Sequence, residues 1–208
     1  PAQHWKINWD FGVEGFRDTT KPAANSTTMT GQQVDAASGV TPEGRRSMVS
    51  GFNRLTIGYA DWLQLTPGLR YDLYHLWGTA RYNGYIRKDT YIVNVDHTFG
   101  KWLPTLGIAV KPWAPVQFFA NAGLGWRPPA ITETLISGSP PGHAIAVPSY
   151  PNWTLEPEET RSLEFGVNVN LSGLISASDS LKIKLLHFNN ETENYIFLAS
   201  AVGLPGEP

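Results

Sequence analysis

The side chains best suited to chemistry fall in the second half of the chain. His143 is the one histidine in the stretch 134–150, which is otherwise made of Gly, Pro, Ser, Thr, aliphatic residues and Tyr150. A neutral imidazole is a good ligand for iron. The competing reading of His143 is a solvated loop histidine. The phenol of Tyr150 is either a second group of ligand type or an interfacial aromatic. Arg127, Glu133, Glu158 and Glu164 could serve as an acid–base set or as an ion network lining an aqueous bore. A barrel lumen tolerates such charges, which face water and one another there. His75 and His97 border a long connection, and His4 and His187 sit in strand-like sequence.

Other chemistries lack their residues. Nothing in the chain reads as a nucleophile motif, a zinc spacing or a phosphate loop, so no enzyme is expected. The net charge of −2, with both signs mixed, gives no footprint for a nucleic-acid partner. With no cysteine there is neither a disulfide framework nor thiolate chemistry.

Composition narrows the class. Hydrophobic residues make up 41% of the 208 and charged ones only 16%, yet the mean hydropathy is slightly negative. No apolar run reaches the ~20 residues of a membrane helix. Lipid-facing apolar residues alternating with polar lumen residues give this combination. Eight Trp, eight Tyr and nine Phe suit aromatic belts at two bilayer interfaces. They also suit a secreted, soluble carbohydrate-binding β-sandwich.

The elements that must position the candidate residues are strands. Period-two alternation recurs seven times, over residues 4–17, 48–59, 62–77, 102–110, 116–126, 162–171 and 181–198. In the first, Trp5, Ile7, Trp9, Phe11 and Val13 oppose Lys6, Asn8, Asp10 and Glu14. In the third, Leu63, Leu65, Leu69, Tyr71 and Leu73 oppose Gln64, Thr66, Arg70 and Asp72. The connections alternate between short (60–61, 111–115, 172–180) and long (18–47, 78–101, 127–156), the long ones rich in Gly, Pro, Ser and Thr. Short inner turns and long outer loops mark a transmembrane barrel, so this all-β antiparallel pattern predicts a transmembrane β-barrel fragment with long outer loops. Seven is neither even nor enough to close a bacterial barrel. The ends at Pro1 and Pro208 read as cut edges of a longer protein. On the lipid face Leu69→Arg is expected to cost more than Arg70→Leu on the lumen face.

Two segments are more specific. Trp126-Arg127-Pro128-Pro129 followed by Glu133 resembles the FRAP-type box of TonB-dependent haem receptors, with Trp for Phe and Pro for Ala. Pro151-Asn152-Trp153-Thr154-Leu155, followed by Glu158 and Ser162-Leu163-Glu164-Phe165-Gly166, is similar to their NPNL box and the strand entry after it. Pro67-Gly68-Leu69-Arg70-Tyr71-Asp72 and Trp102-Leu103-Pro104-Thr105-Leu106-Gly107 resemble two further strands of that family, so the likeness runs through nearly the whole chain.

The resemblance implies that residues 1–208 are one partial barrel, without the plug domain and the remaining strands, in the bacterial outer membrane. It implies import of haem for iron acquisition, with haem as the transported ligand. Haemoglobin or a haemophore would deliver it, and a TonB complex would act through the missing plug. His143, between the two boxes, then becomes the axial ligand of the haem iron, with Tyr150 beside it. Gly142, Ala144, Ile145, Ala146 and Val147 would pack on the porphyrin. A ferric-siderophore transporter is the alternative within the family.

Overall fold

The strand order follows the chain. In the computed structural model, which describes residues 4–21, 26–27, 33–34, 42–83, 90–137, 150–176 and 178–197, strands come first and in sequence. They are β1 (Trp5–Thr20), β2 (Ser26–Thr27), β3 (Gln33–Val34), β4 (Glu43–Tyr59), β5 (Leu63–Asn83) and β6 (Thr90–Trp113). After β7 (Val116–Arg127) comes one short helix, α1 (Ile131–Leu135), and then β8 (Glu158–Ser172) and β9 (Ser180–Glu193). Seven strands form one antiparallel sheet in the order β1-β4-β5-β6-β7-β8-β9, and β2 and β3 pair only with each other. Because every neighbour is antiparallel and consecutive, the strand ends at Thr20 and Glu43, Asn83 and Thr90, and Arg127 and Glu158 share one rim, while the turns 60–62 and 114–115 and the strand ends at Ser172 and Ser180 share the other. That is the arrangement the alternation of short and long connections required.

The register carries one apolar stripe across the strands. Trp5, Ile7 and Trp9 stand opposite Tyr59, Ile57 and Leu55; Ile57 and Tyr59 stand opposite Leu65 and Leu63; and these meet Ile108 and Val110. The side chains on this face lie open, Ile7 at 69% and Val13 at 79% exposure. An apolar face so exposed fits the lipid-facing side of a transmembrane barrel. Asn53, a polar intruder on the stripe, donates its amide to the Leu69 carbonyl at 3.4 Å.

Aromatic rings bound the stripe. Trp5 and Trp62 pack around Tyr59 beside the short turn, with centroids 4.6 and 6.1 Å from it. Tyr71 packs on Trp102 further out, at 4.7 Å. Trp62 and Tyr71 are nine residues apart, which at ~3.4 Å per residue and a tilt of ~40° is about 23 Å along the membrane normal. Beyond the outer belt the outward positions change character, with Arg17, Arg45, His75 and Asp96 on one side of the sheet and Arg161, Glu191 and Glu193 on the other. The ends of the strands therefore stand clear of hydrocarbon.

Several boundaries differ from the sequence expectation. Most of the segment 78–101, expected as a long loop, is strand: β5 continues to Asn83 and β6 begins at Thr90, in unbroken register with each other. Its glycines suggest a loop locally, but a 21-pair ladder supplies the order that local composition lacks. β4 starts at Glu43 rather than 48, and β9 ends at Glu193 rather than 198. The helix α1 was not expected.

Candidate functional site

The inner face of the sheet changes with height. Near the inner turns it carries polar side chains and ion pairs, such as Arg54 with Asp10 at 3.2 Å. Past the outer belt an apolar cluster forms on it, beside the ion pair of Arg46 with Asp18 at 3.1 Å. Tyr74, Leu76 and Ala80 of β5 and Val95 of β6 are buried there against Ile131 and Leu135 of α1, with Met48, Val93, Phe99 and Trp126 around them. Leu76 and Leu135 are fully enclosed. Helix α1 therefore lies on the interior wall at the outer mouth.

Two glycines make the seat. Gly44 and Gly78 face each other across β4 and β5. A Cβ on Gly44 would come within 2.7 Å of Ile131 Cγ2, and one on Gly78 would strike Leu135 Cδ1 and come within 2.8 Å of the Glu43 carbonyl oxygen. No other residue permits so close an approach.

The residues of the first box hold this helix in place. Arg127 ends β7 and Glu158 opens β8, directly opposite. Arg127 donates through Nε and Nη2 to the two oxygens of Glu158, at 2.7 and 2.8 Å. Its Nη1 donates to both oxygens of Glu133, at 2.9 Å each. Glu133 in turn accepts the Ala130 amide at 2.7 Å, capping the first turn of α1. Glu158 is 9% exposed and also accepts the Ile196 amide at 2.7 Å. The bidentate guanidinium is the main reason its carboxyl is pulled down to about 2, while the two carboxylates raise the Arg127 pKa above its usual value.

Trp126 donates its indole N–H to Asp72 at 2.8 Å, tying β7 to β5 where the direct β6–β7 ladder has stopped at Thr105 and Gly123. Asp72 also accepts from Arg70 at 2.5 Å, and Arg70 reaches Ser50 at 2.8 Å and Glu14 at 2.5 Å. Lys101 and Glu159 make a short ion pair nearby. The Pro129 carbonyl accepts the Tyr74 hydroxyl at 2.6 Å; Pro129 is buried and Pro128 half-buried.

The second box closes the loop. The Asn152 amide donates to the Thr134 carbonyl at 2.9 Å, joining the end of α1 to the return of the chain. Asn152 Oδ1 accepts from the Thr154 amide and hydroxyl at 3.2 and 2.8 Å, an Asx turn. Pro151 is buried and Leu155 half-buried. Both feet of the 138–149 segment are thus pinned to the interior wall. Among the described residues, no buried side-chain polar atom is left without a partner.

Comparison with known proteins gives the family. Residues 2–207 match the family described as TonB dependent receptor-like, beta-barrel. The chain belongs to that family. This TonB-dependent receptor barrel is 26% identical over 141 residues, 65% of the chain and 21% of the relative, to a protein named hemin receptor from Yersinia pestis. A solved structure of the Serratia marcescens hemophore receptor HasR, a double mutant in complex with its hemophore HasA and heme, superposes with a TM-score of 0.79 at 32% identity, over 93% of this chain and 31% of that one. The copper transporter OprC shares the fold at 18% identity and TM-score 0.65, covering 91% and 28% of the two chains. The ferric-catecholate import receptor Fiu of Escherichia coli K12 shares it at 15% and 0.60, covering 92% and 29%. The chain therefore spans less than a third of the length of each. The soluble-sandwich alternative is overturned by the family match.

The expected site residues are not all brought together. Trp126, Arg127, Pro128, Pro129, Pro151, Asn152, Leu155 and Glu158 meet at the roots of the loop. Tyr150 stands beside them, 47% exposed. His143 lies outside the described residues. Glu164 is six residues further along β8 than Glu158, roughly 20 Å away, and takes no part. His97 faces the interior beside Phe99, with centroids 5.7 Å apart. His75 points outward and bonds Asp96 at 2.7 Å. His4 sits by Tyr59 at the inner rim, and His187 packs on Phe165 on the lipid side.

Sequence reasoning missed the apolar seat. Its signal was present: on the inward side of β5, Tyr74, Leu76, Gly78 and Ala80 succeed Gln64, Thr66, Arg70 and Asp72. A turn from polar to largely apolar side chains on the inward face marks a stretch that something covers.

Proposed function

We propose that this chain is the wall and loop-bearing part of a bacterial outer-membrane receptor that binds haem on its outer loops and imports it for iron acquisition. The observation that carries the reading is the likeness, at 32% identity over 93% of the chain, to a receptor whose structure holds haem. The hemin-receptor relative supports it. The copper and ferric-catecholate proteins are similar at fold level only.

The pinned loop gives the reading a physical basis. His143 is the axial ligand of the haem iron through a neutral ring nitrogen, and Tyr150 at the foot of the loop contacts the macrocycle. Anchoring residues 134 and 152 to each other and to the wall lowers the ordering entropy that haem binding would otherwise cost. Haem comes from haemoglobin or a haemophore, and a plug domain coupled to a TonB complex drives its import. Both lie outside this chain.

The test is a haem titration of the full-length receptor carrying His143→Ala. Affinity should fall by at least roughly tenfold, ~1.4 kcal/mol, with a shifted Soret band. Unchanged affinity and spectrum would remove His143 from the site. A receptor that binds a ferric siderophore and no haem would shift the assignment to the alternative within the family.

A further inference from the structure

A hollow of about 450 Å³ opens on the outer wall, lined by Arg17, Arg45, Ser47, His75 and Trp77. All five side chains project from the lipid-facing side. Arg17 is opposite Ser47, which is opposite His75, and Arg45 is opposite Trp77. The hollow lies just beyond the apolar stripe. Arg17 and Arg45 come four residues after Val13 and before Val49, the last aliphatic residues of the stripe on their strands. Four residues at a tilt of ~40° are about 10 Å along the membrane normal, which carries the patch through the ~5–8 Å headgroup layer to its outer edge.

Arg17 and Arg45 are exposed and form no ion pair among the described residues. The carboxylates on the same face are Asp96, engaged by His75, and Glu43, the next outward residue above Arg45. Elsewhere at this level an outward arginine does have a partner: Arg161 meets Glu193 at 3.5 Å. Exposed Trp77 adds a ring of the interfacial kind.

We propose that this hollow binds the phosphorylated headgroup of a lipid in the outer leaflet. Two guanidinium forks suit phosphate oxygens, which they engage in bidentate fashion. The side-wall position, level with headgroups and away from the mouth, favours a lipid over a soluble protein donor. The proposal rests on the barrel being membrane-inserted, and it is independent of whether the cargo is haem.

Native mass spectrometry of the full-length receptor with bis-phosphorylated lipid A, and with the same lipid stripped of phosphate, tests it. The wild type should retain the phosphorylated lipid and release the other. An R17Q/R45Q double variant should hold it roughly 30-fold more weakly, about 1 kcal/mol for each cation. R161Q should behave as wild type. Equal retention of the two lipids, or an unaffected double variant, overturns the proposal. So does inorganic phosphate binding as tightly as the lipid, which would mark a free-anion site. A double variant that keeps lipid A but loses capture of an acidic protein donor would make the patch a protein contact. A wild type that does not insert into bilayers, judged by the loss of its heat-modifiable gel shift, would overturn the barrel reading itself.

Discussion

At the scale of single residues, the outer mouth is organised by one guanidinium. Arg127 engages Glu158 and Glu133 through all three of its guanidinium nitrogens, and through them fixes the ends of β7 and β8 and the first turn of α1. The fork geometry matters as much as the charge, so Arg127→Lys should recover only part of what Arg127→Gln loses. In the full-length receptor, amide exchange over residues 131–137 should speed up about tenfold in the glutamine variant, ~1–2 kcal/mol after allowing for screening at a half-exposed site. No acceleration would mean that the apolar seat alone holds the helix. The pH dependence follows from Glu158. Its folded pKa is lowered from 4.5 to about 2, so its contribution is present above pH ~4.5 and is lost as pH falls from there towards 2. Protection of α1 should be flat between neutral pH and about 5 and decline below that. In Glu158→Gln the decline should be shallower.

At the scale of elements, a five-residue helix cannot persist alone, and α1 depends on the glycine seat. Gly78→Ala should dislodge it, because the new methyl meets Leu135 and the Glu43 carbonyl. The expected cost is ~1–3 kcal/mol of local stability, read as faster exchange over 131–137 with the barrel still resistant to SDS in an unheated gel. Gly51→Ala is the control, since nothing lies within 4 Å of its added Cβ. Unaltered exchange in Gly78→Ala would show that the seat tolerates a side chain. The same elements show what was legible in the sequence. Strand phase was legible because Trp5 to Val13 and Leu63 to Leu73 alternate strictly. The box residues were legible as a group because they cluster at two loop roots. Helix α1 was not, because Ile-Thr-Glu-Thr-Leu is too short for a periodic signal and its stability comes from β4 and β5. The extension of β5 and β6 through 78–101 was hidden for a related reason: its order comes from pairing between distant segments.

At the scale of the whole molecule, the sheet separates two solvents, and the ranking of substitutions tests which face meets which. Leu69 lies midway along the apolar stripe of β5, between Leu63 and Leu73, and is exposed outward. A charge there enters hydrocarbon between the midplane and the outer belt, and Leu69→Arg should cost ~1–3 kcal/mol in refolding into bilayers. On face identity alone, Arg70→Leu would be the mild partner of the pair. The structure changes that ranking. Arg70 binds Asp72, Glu14 and Ser50, and the Asp72 side chain is only 5% exposed. Removing the guanidinium leaves a buried carboxylate held only by its remaining donors, at a cost of about 2 kcal/mol. The two substitutions should therefore approach each other in magnitude while differing in kind. Leu69→Arg should fail selectively in lipid and less in a thin detergent micelle, whereas Arg70→Leu should lose a similar amount in both. If Arg70→Leu proved the lipid-sensitive variant and Leu69→Arg the indifferent one, the faces would be inverted, and the bore would lie where the lipid is now placed.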